Sequence, residues 1–267
     1  MAQTVNGKVR RKPSKRVIDF RQKWWECNYK ALLYGGIAPS RHALRFDVHS
    51  EGSLPSRRPL MLVPVHRTSI DTFVIAYFVR EFISYVSTDA FGHGRFANAV
   101  QRYLTTALGS VVWKQKGISN RRARAVALAR DVERRLDSGK IVAVFTQGEY
   151  QPDSVDSFED GALGLLERYD KHIEKETGRR LQTQVVPVGL EYDYAGRGLV
   201  QSDFADRLAT YLPGFPRWHV PALGSTITVR FGEPHYLDDQ SALQLTHDVM
   251  KDAAELSNIP FRALTQP

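Results

Sequence analysis

The stretch Leu60-Met-Leu-Val-Pro-Val-His66-Arg-Thr-Ser-Ile-Asp71 joins an apolar run to a polar segment that carries two residues able to exchange protons. The run Leu60–Val65 is short and apolar, which predicts a buried strand. In α/β proteins, sites form on the loops that leave the carboxyl ends of strands. The position of His66 and Asp71 directly after this strand therefore predicts a functional site.

The histidine–aspartate pair suits general-base chemistry. A carboxylate that holds one imidazole nitrogen leaves the other nitrogen free to accept a proton from a hydroxyl group. The same spacing also arises by chance, and His66 read alone fits a buried histidine bonded to a neighbouring carbonyl group equally well. A functional interpretation of the pair therefore needs support from the rest of the chain.

Strand-like and helix-like segments alternate along the chain. Strands are predicted near residues 44–49, 60–65, 83–87, 110–114, 141–145, 185–192 and 226–231. The clearest helix begins at Ser119, a good N-cap, and ends at Gly139, a good C-terminal stop. This alternation predicts an α/β fold with a mixed, largely parallel sheet of about seven strands flanked by helices.

Charge and cysteine content limit the classes of partner and compartment. The chain has 267 residues and a net charge of +8, from 37 Lys and Arg against 29 Asp and Glu. This excess favours nucleic acid, an anionic lipid surface, an acidic carrier protein or a phosphorylated substrate as partner. The single cysteine, Cys27, cannot form an internal disulfide, so a reducing cytoplasm is expected. We expect no transmembrane helix and no signal peptide, because no apolar stretch is long enough for either.

Three parts are predicted along the chain. Residues 1–16 hold six Lys or Arg and no acid, which predicts a disordered basic arm. Residues 17–40 predict a helix in which aromatic and basic residues are interleaved. This helix fits either a lipid headgroup layer, as an N-terminal membrane-associating segment, or packing on the body of the protein. Residues 41–267 form the main domain.

Blocks of sequence beyond the pair corroborate it. After Leu44-Arg-Phe-Asp-Val-His-Ser-Glu-Gly52 and the strand that carries His66 come Gly109-Ser-Val-Val-Trp-Lys-Gln115, Val144-Phe-Thr-Gln-Gly-Glu-Tyr150, Val185-Val-Pro-Val-Gly-Leu190 and Val229-Arg-Phe-Gly-Glu-Pro234. In this order they resemble the motifs of the glycerolipid (lysophospholipid) acyltransferase family, in which an apolar strand delivers a His-x4-Asp catalytic motif. The resemblance covers residues 44–234, and it identifies residues 41–267 as an acyltransferase domain.

The resemblance implies transfer of a fatty acyl group from acyl-CoA or acyl carrier protein to the hydroxyl group of a lysophospholipid-like acceptor. His66 would be the general base, and Asp71 would orient it. The implied substrate contacts are Arg67, Lys114, Gln147, Gly148, Glu149 and Tyr150. The reaction also needs an oxyanion donor, and backbone N–H groups after the His66 strand or near Gly148 are candidates. No metal or bound cofactor is implied.

The chain departs from the family pattern where the acceptor would bind. Gln147, Glu149 and Tyr150 stand where the third block has glutamate, threonine and arginine, and Gln115 replaces a basic residue of the second block. Arginine binds phosphate through a planar fork that glutamine and tyrosine do not supply.

Two readings of the acceptor stay open. In one, Lys114, Lys116 or Arg67 binds the acceptor phosphate as a point charge. In the other, which we favour slightly, the acceptor carries its phosphate elsewhere or is a glycolipid or another alcohol, and Gln147, Glu149 and Tyr150 bond to its hydroxyl groups.

The predicted location is the cytoplasm, peripheral on the inner face of the cell membrane, where the basic surface would meet anionic lipid. Two other classes of function stay open. The altered third block favours a catalytically degenerate lipid-binding protein of the same fold. A nucleic-acid-binding protein could use the basic arm and the arginine-rich helix, although no recognised reader module is present.

Overall fold

The structure is a computed structural model. It describes residues 41–263 except 43, 69, 89–110, 114–120, 149, 160, 179–182, 200–220 and 238–239, together with residues 4–5, 8–9, 27, 29–31 and 35. In this part of the chain, strands β1 to β10 span Thr4–Val5, Lys8–Val9, Asp47–Glu51, Leu60–Pro64, Ile83–Thr88, Val111–Trp113, Ile141–Val144, Gln184–Asp193, Thr226–Phe231 and His235–Tyr236. Helices α1 to α4 span Asp71–Val79, Arg121–Asp137, Gly161–Thr177 and Ala242–Leu256.

The central sheet is mixed and mostly parallel, as predicted. Its strand order is β3-β9-β8-β4-β7-β5-β6, and the short β10 pairs with β8. The five strands from β8 to β6 run parallel to one another, while β9 pairs antiparallel with β8 and parallel with β3. Each of the seven predicted strands corresponds to one of these strands. The predicted α/β fold class is therefore confirmed.

The two faces of the sheet carry different helices. Alternate residues of β4 point to opposite faces, so Leu60 and Leu62 join the core that includes α1, while Met61 and Val63 join the core that includes α2, α3 and α4. The connection from β4 through α1 to β5 runs towards the β6 edge of the sheet. The connection from β7 through α3 to β8 runs towards the β3 edge. Right-handed crossovers in opposite directions put their helices on opposite faces. The ends of β4 and β7 therefore border a crevice at a topological switch point.

Helix α2 confirms the helix predicted between Ser119 and Gly139. It spans Arg121–Asp137, and the predicted N-cap Ser119 lies outside the described residues. Gly139 has a φ of +69°. The amide group of Lys140 donates to the carbonyl group of Arg135 at 2.9 Å, so a left-handed glycine closes the helix.

The N-terminal predictions fall mostly outside the described residues. Within the arm predicted to be disordered, Thr4–Val5 pairs antiparallel with Lys8–Val9, so these four residues have regular structure. Within the predicted helix 17–40, residues 27 and 29–31 are helical. Tyr29 is buried, with its ring edge-on to Phe82 at 5.1 Å between centroids. This part of the helix therefore packs on the body. Among the described residues, the helices are too short or too polar to cross a bilayer.

Gly189 in β8 permits the close approach of α4 to the sheet. A Cβ atom at this position would lie 2.4 Å from Leu256 Cβ and 2.5 Å from the Leu256 carbonyl carbon. Because one of these atoms belongs to the backbone, the strand and the helix would have to separate. The glycine of the fourth sequence block, Gly189, is therefore required for the packing of α4 on the sheet.

Gly189→Ala should lower the free energy of unfolding by about 1–3 kcal/mol, the usual cost of overpacking a dense core. Urea unfolding followed by circular dichroism measures the change. Gly164→Ala is the control, because a Cβ atom there meets nothing within 4 Å and alanine in a helix is favoured over glycine by about 0.5–1 kcal/mol. Equal urea midpoints for Gly189→Ala and wild type would contradict the packing role.

Candidate active site

His66 lies where the sheet predicts a site. Strand β4 ends at Pro64, and α1 begins at Asp71, so the loop between them leaves the carboxyl end of a central strand. Gln151 from the segment after β7 donates its amide hydrogen to the His66 carbonyl oxygen at 2.8 Å. This bond joins the ends of the two strands that border the crevice.

The predicted pair is in direct contact. His66 Nδ1 lies 3.0 Å from Asp71 Oδ2. Asp71 Oδ2 also accepts the amide hydrogens of Arg67 at 2.7 Å and Thr68 at 2.9 Å. A carboxylate oxygen that receives these donors favours the imidazole tautomer with hydrogen on Nδ1. The other nitrogen, Nε2, then carries a lone pair that can accept a proton.

The carboxylate of Asp71 is buried and strongly bonded. Its residue is 0% exposed, and burial of a charge requires compensating donors. Thr68 Oγ1 donates to Oδ1 at 2.8 Å, and the phenol group of Tyr192 donates to the same oxygen. The position at the start of α1 adds the favourable field of a helix N-terminus. Together these groups supply the buried carboxylate with the donors that it needs.

Two aromatic rings pack closely against the imidazole. Phe145 stacks on His66 with ring centroids 4.0 Å apart, and Tyr150 lies at 4.3 Å with a tilt of 52°. Tyr85 continues the stack behind Phe145 at 6.2 Å. The His66 side chain is 19% exposed. A substrate can meet the ring only at this exposed part.

Arg67 does not face the crevice, which corrects its prediction as a phosphate contact. The residue is 4% exposed. Its Nε donates to the Pro152 carbonyl oxygen at 2.6 Å, and its Nη1 donates to the Leu190 carbonyl oxygen at 2.9 Å. Burial lowers the pKa of the guanidinium group, and neighbours including Tyr192 and Asp71 oppose that shift. Arg67 ties β4 to β8 and to the segment after β7, a use of arginine that the sequence pattern does not reveal.

The structure brings part of the third block to His66. Gln147 Oε1 accepts the amide hydrogen of His66, and Tyr150 contacts the imidazole. Among the described residues, the buried Nε2 of Gln147 has no hydrogen-bond partner. Gly148 has a φ of +73°, the left-handed conformation that a turn after a strand requires. The predicted contacts Lys114 and Glu149 lie outside the described residues, as do Gln115 and Lys116.

Three of the N–H groups suggested as oxyanion donors already donate to other acceptors. Those of Arg67 and Thr68 bond to Asp71, and that of His66 bonds to Gln147. A donor must be aimed at the oxygen where charge develops. The loop after β4 therefore offers fewer N–H groups as candidate oxyanion donors than the sequence implied. Gly148, which is exposed in the turn after β7, is still a candidate.

Sequence reasoning missed three residues of this site: Thr68, Phe145 and Tyr192. Phe145 stands in the quoted third block, so an apolar residue at the end of a strand was a usable signal. Tyr192 lies 121 positions from Asp71, and only the pairing of β8 with β4 makes the two neighbours. The order of the blocks along the chain does not predict the contact between Tyr192 and Asp71.

Comparison with known proteins agrees with the sequence blocks. The family model described as Acyltransferase matches residues 45–191, more than half of the chain. The matched region contains β4, the His66–Asp71 loop and the third block. No match was found among curated proteins. The chain therefore belongs to the Acyltransferase family, and acyl transfer is the class of reaction that this membership supports.

Proposed function

We propose that the protein is an O-acyltransferase that moves a fatty acyl group from acyl-CoA or acyl carrier protein to a hydroxyl group of a lysophospholipid-like acceptor. One observation carries this proposal: His66 Nδ1 is held 3.0 Å from a fully buried carboxylate. That contact leaves Nε2 as the ring nitrogen that can accept a proton. A hydroxyl group is a poor nucleophile at neutral pH, and a positioned base corrects this weakness.

The proposed reaction has two stages. As the acceptor oxygen attacks the thioester carbonyl carbon, its proton passes to His66 Nε2 and the π electrons of the carbonyl group move onto oxygen. The tetrahedral intermediate then collapses, the C=O bond reforms and the C–S bond breaks. The leaving thiolate takes the proton from His66, which returns to its starting state. Asp71 stabilises the imidazolium that exists between the two stages.

The acceptor group beside His66 is, in this proposal, rich in hydroxyl groups and uncharged. Among the described residues, the third block presents the carboxamide group of Gln147 and the phenol group of Tyr150. Burial and, to a lesser degree, the charge of Asp71 raise the pKa of Tyr150 to about 12. The phenol group is therefore neutral at physiological pH, and Arg67 is occupied beneath the site. These features favour an acceptor whose phosphate lies away from His66, or a glycolipid, over a simple lysophosphatidate.

Tyr150→Arg should shift acceptor choice towards lysophosphatidate. It restores the arginine expected in the third block, and a charge-assisted bond to phosphate strengthens binding by about 1.5–3 kcal/mol, at least tenfold. The measurement is kcat/KM for lysophosphatidate divided by kcat/KM for an uncharged monoacyl glycolipid. Tyr150→Phe is the control, because it keeps the ring on His66 without adding charge. A ratio that is equal in all three proteins would contradict the role given to Tyr150.

The proposed location is the inner face of the cell membrane. The net charge of +8 favours both an anionic lipid surface and an acidic or phosphorylated acyl donor. Sedimentation with vesicles tests the first part. Binding that rises with anionic lipid content and falls with added salt supports it, and equal binding to neutral vesicles counts against it.

A further inference from the structure

Tyr192 contacts the catalytic pair from outside the sequence blocks. It lies in β8, on the same face of the sheet as Leu190 and α1, and is 1% exposed. Its phenol group donates a hydrogen bond to Asp71 Oδ1. The match to the family model ends at residue 191, one position before this tyrosine.

The two oxygens of Asp71 have separate sets of donors. Oδ2 receives His66 Nδ1 and two backbone amides, whereas Oδ1 receives the hydroxyl groups of Thr68 and Tyr192. Thr68 Oγ1 also lies 3.2 Å from the Tyr192 oxygen, but its single proton favours the closer, charged acceptor. The terminal torsion of an aspartate is broad and roughly two-fold. Donors on Oδ1 therefore help to hold Oδ2 towards His66.

Tyr192 keeps its proton throughout the working pH range of such an enzyme. Burial first, and then the charge of Asp71, raise the pKa of its phenol group well above the usual value. A neutral phenol group in this position donates to the carboxylate at all times. The ring is also fixed from behind, because the Arg67 guanidinium group lies 5.6 Å from its centroid.

We propose that Tyr192 is a positioning residue for acyl transfer, which holds the Asp71 carboxylate in the orientation that fixes the reactive tautomer of His66. This inference rests on the proposed function of His66 and Asp71. Tyr192 does not touch the substrate in this account and acts only through Asp71. Its loss should therefore lower kcat and leave KM unchanged.

Tyr192→Phe tests the inference, with Tyr169→Phe as matched control. Tyr169 is also buried, and its phenol group donates to Asp137 Oδ1 at 2.8 Å, but it lies in the core on the opposite face of the sheet. Both variants thus lose a hydrogen bond from a buried tyrosine to an aspartate, although Asp137 is exposed where Asp71 is buried. Tyr192→Phe should lower kcat about tenfold, the scale seen when an outer partner of a functional residue is lost. Tyr169→Phe should leave kcat within about twofold, although it too loses a side-chain hydrogen bond.

A double-mutant cycle separates positioning from general damage. In the Asp71→Ala background the accepting oxygen is gone, so adding Tyr192→Phe should change single-turnover acyl transfer by less than about twofold. An equal tenfold loss in both backgrounds would overturn the inference, as would a kcat for Tyr192→Phe within twofold of wild type. If Tyr192→Phe does not fold, Thr68→Val removes the other Oδ1 donor and should also lower kcat at constant KM. Absence of acyl transfer in the wild type would instead overturn the proposed function itself.

Discussion

His66→Ala should lower kcat/KM for acyl transfer by about 10²–10⁴-fold, the contribution of a positioned general base. The expected loss falls mainly on kcat, because in the proposed reaction the imidazole takes the proton of the attacking hydroxyl group rather than holding the acceptor. The urea midpoint should change little, since the side chain is partly exposed and only its contact with Asp71 and two ring contacts are lost. Initial rates of thiol release at several acceptor concentrations give both constants.

His235→Ala is the matched control for this experiment. His235 Nε2 lies 2.7 Å from Asp252 Oδ2, so it is a second histidine–aspartate pair, located between β10 and α4. Its loss should leave kcat/KM within about twofold, as expected for a surface pair of this kind. Comparable losses in the two variants would show that His66 has no special part in the reaction.

Asp71→Ala should impair both catalysis and folding. Without the carboxylate the imidazole tautomer and orientation are no longer fixed, and we expect a fall in kcat on the order of 10²–10⁴-fold. Two backbone amides and two hydroxyl groups also lose their acceptor. An unsatisfied buried donor costs about 1–3 kcal/mol. If the hydroxyl groups find other partners, the two amides remain, so the free energy of unfolding should fall by about 2–6 kcal/mol.

Activity and urea unfolding of the same Asp71→Ala preparation check both parts of this prediction. The contrast with His66→Ala is the informative result, because that variant should lose activity without losing stability. A wild-type urea midpoint for Asp71→Ala would mean that the bonds to the carboxylate do not stabilise the fold. A wild-type kcat would mean that His66 needs no orienting partner.

Most of the strands were predictable because they are short, largely apolar runs between turn residues, whereas β3, Asp47–Glu51, is polar and mostly exposed. Leu60–Val65 and Val185–Tyr192 are buried on both faces of the sheet, and such strands form continuous apolar segments. The strand order was not predictable, since β7 enters between β4 and β5, which precede it in the chain. Hydrogen bonds between distant segments set that order, and local patterns do not record them.

The sequence indicated contacts within the site that are local along the chain and did not indicate those between distant segments. His66 and Asp71 are close in sequence, so one loop and the start of one helix bring them together. The burial of Arg67 was not predicted, because the sequence does not show whether an arginine after His66 faces the solvent or bonds to carbonyl groups in the interior. Tyr192 was missed because its contact with Asp71 depends on the register of β8 against β4.

The proposed function requires the site to transfer an acyl group to a hydroxyl group rather than to water. The most direct measurement incubates the purified protein with isotopically labelled acyl-CoA or acyl carrier protein and a panel of lysolipid and glycolipid acceptors. Mass spectrometry counts the ester formed, and a thiol reagent counts the thiol released. We predict labelled ester with at least one acceptor, in amounts equal to the thiol released, and none with His66→Ala. Thiol release without ester, or no ester with any acceptor, would contradict the account.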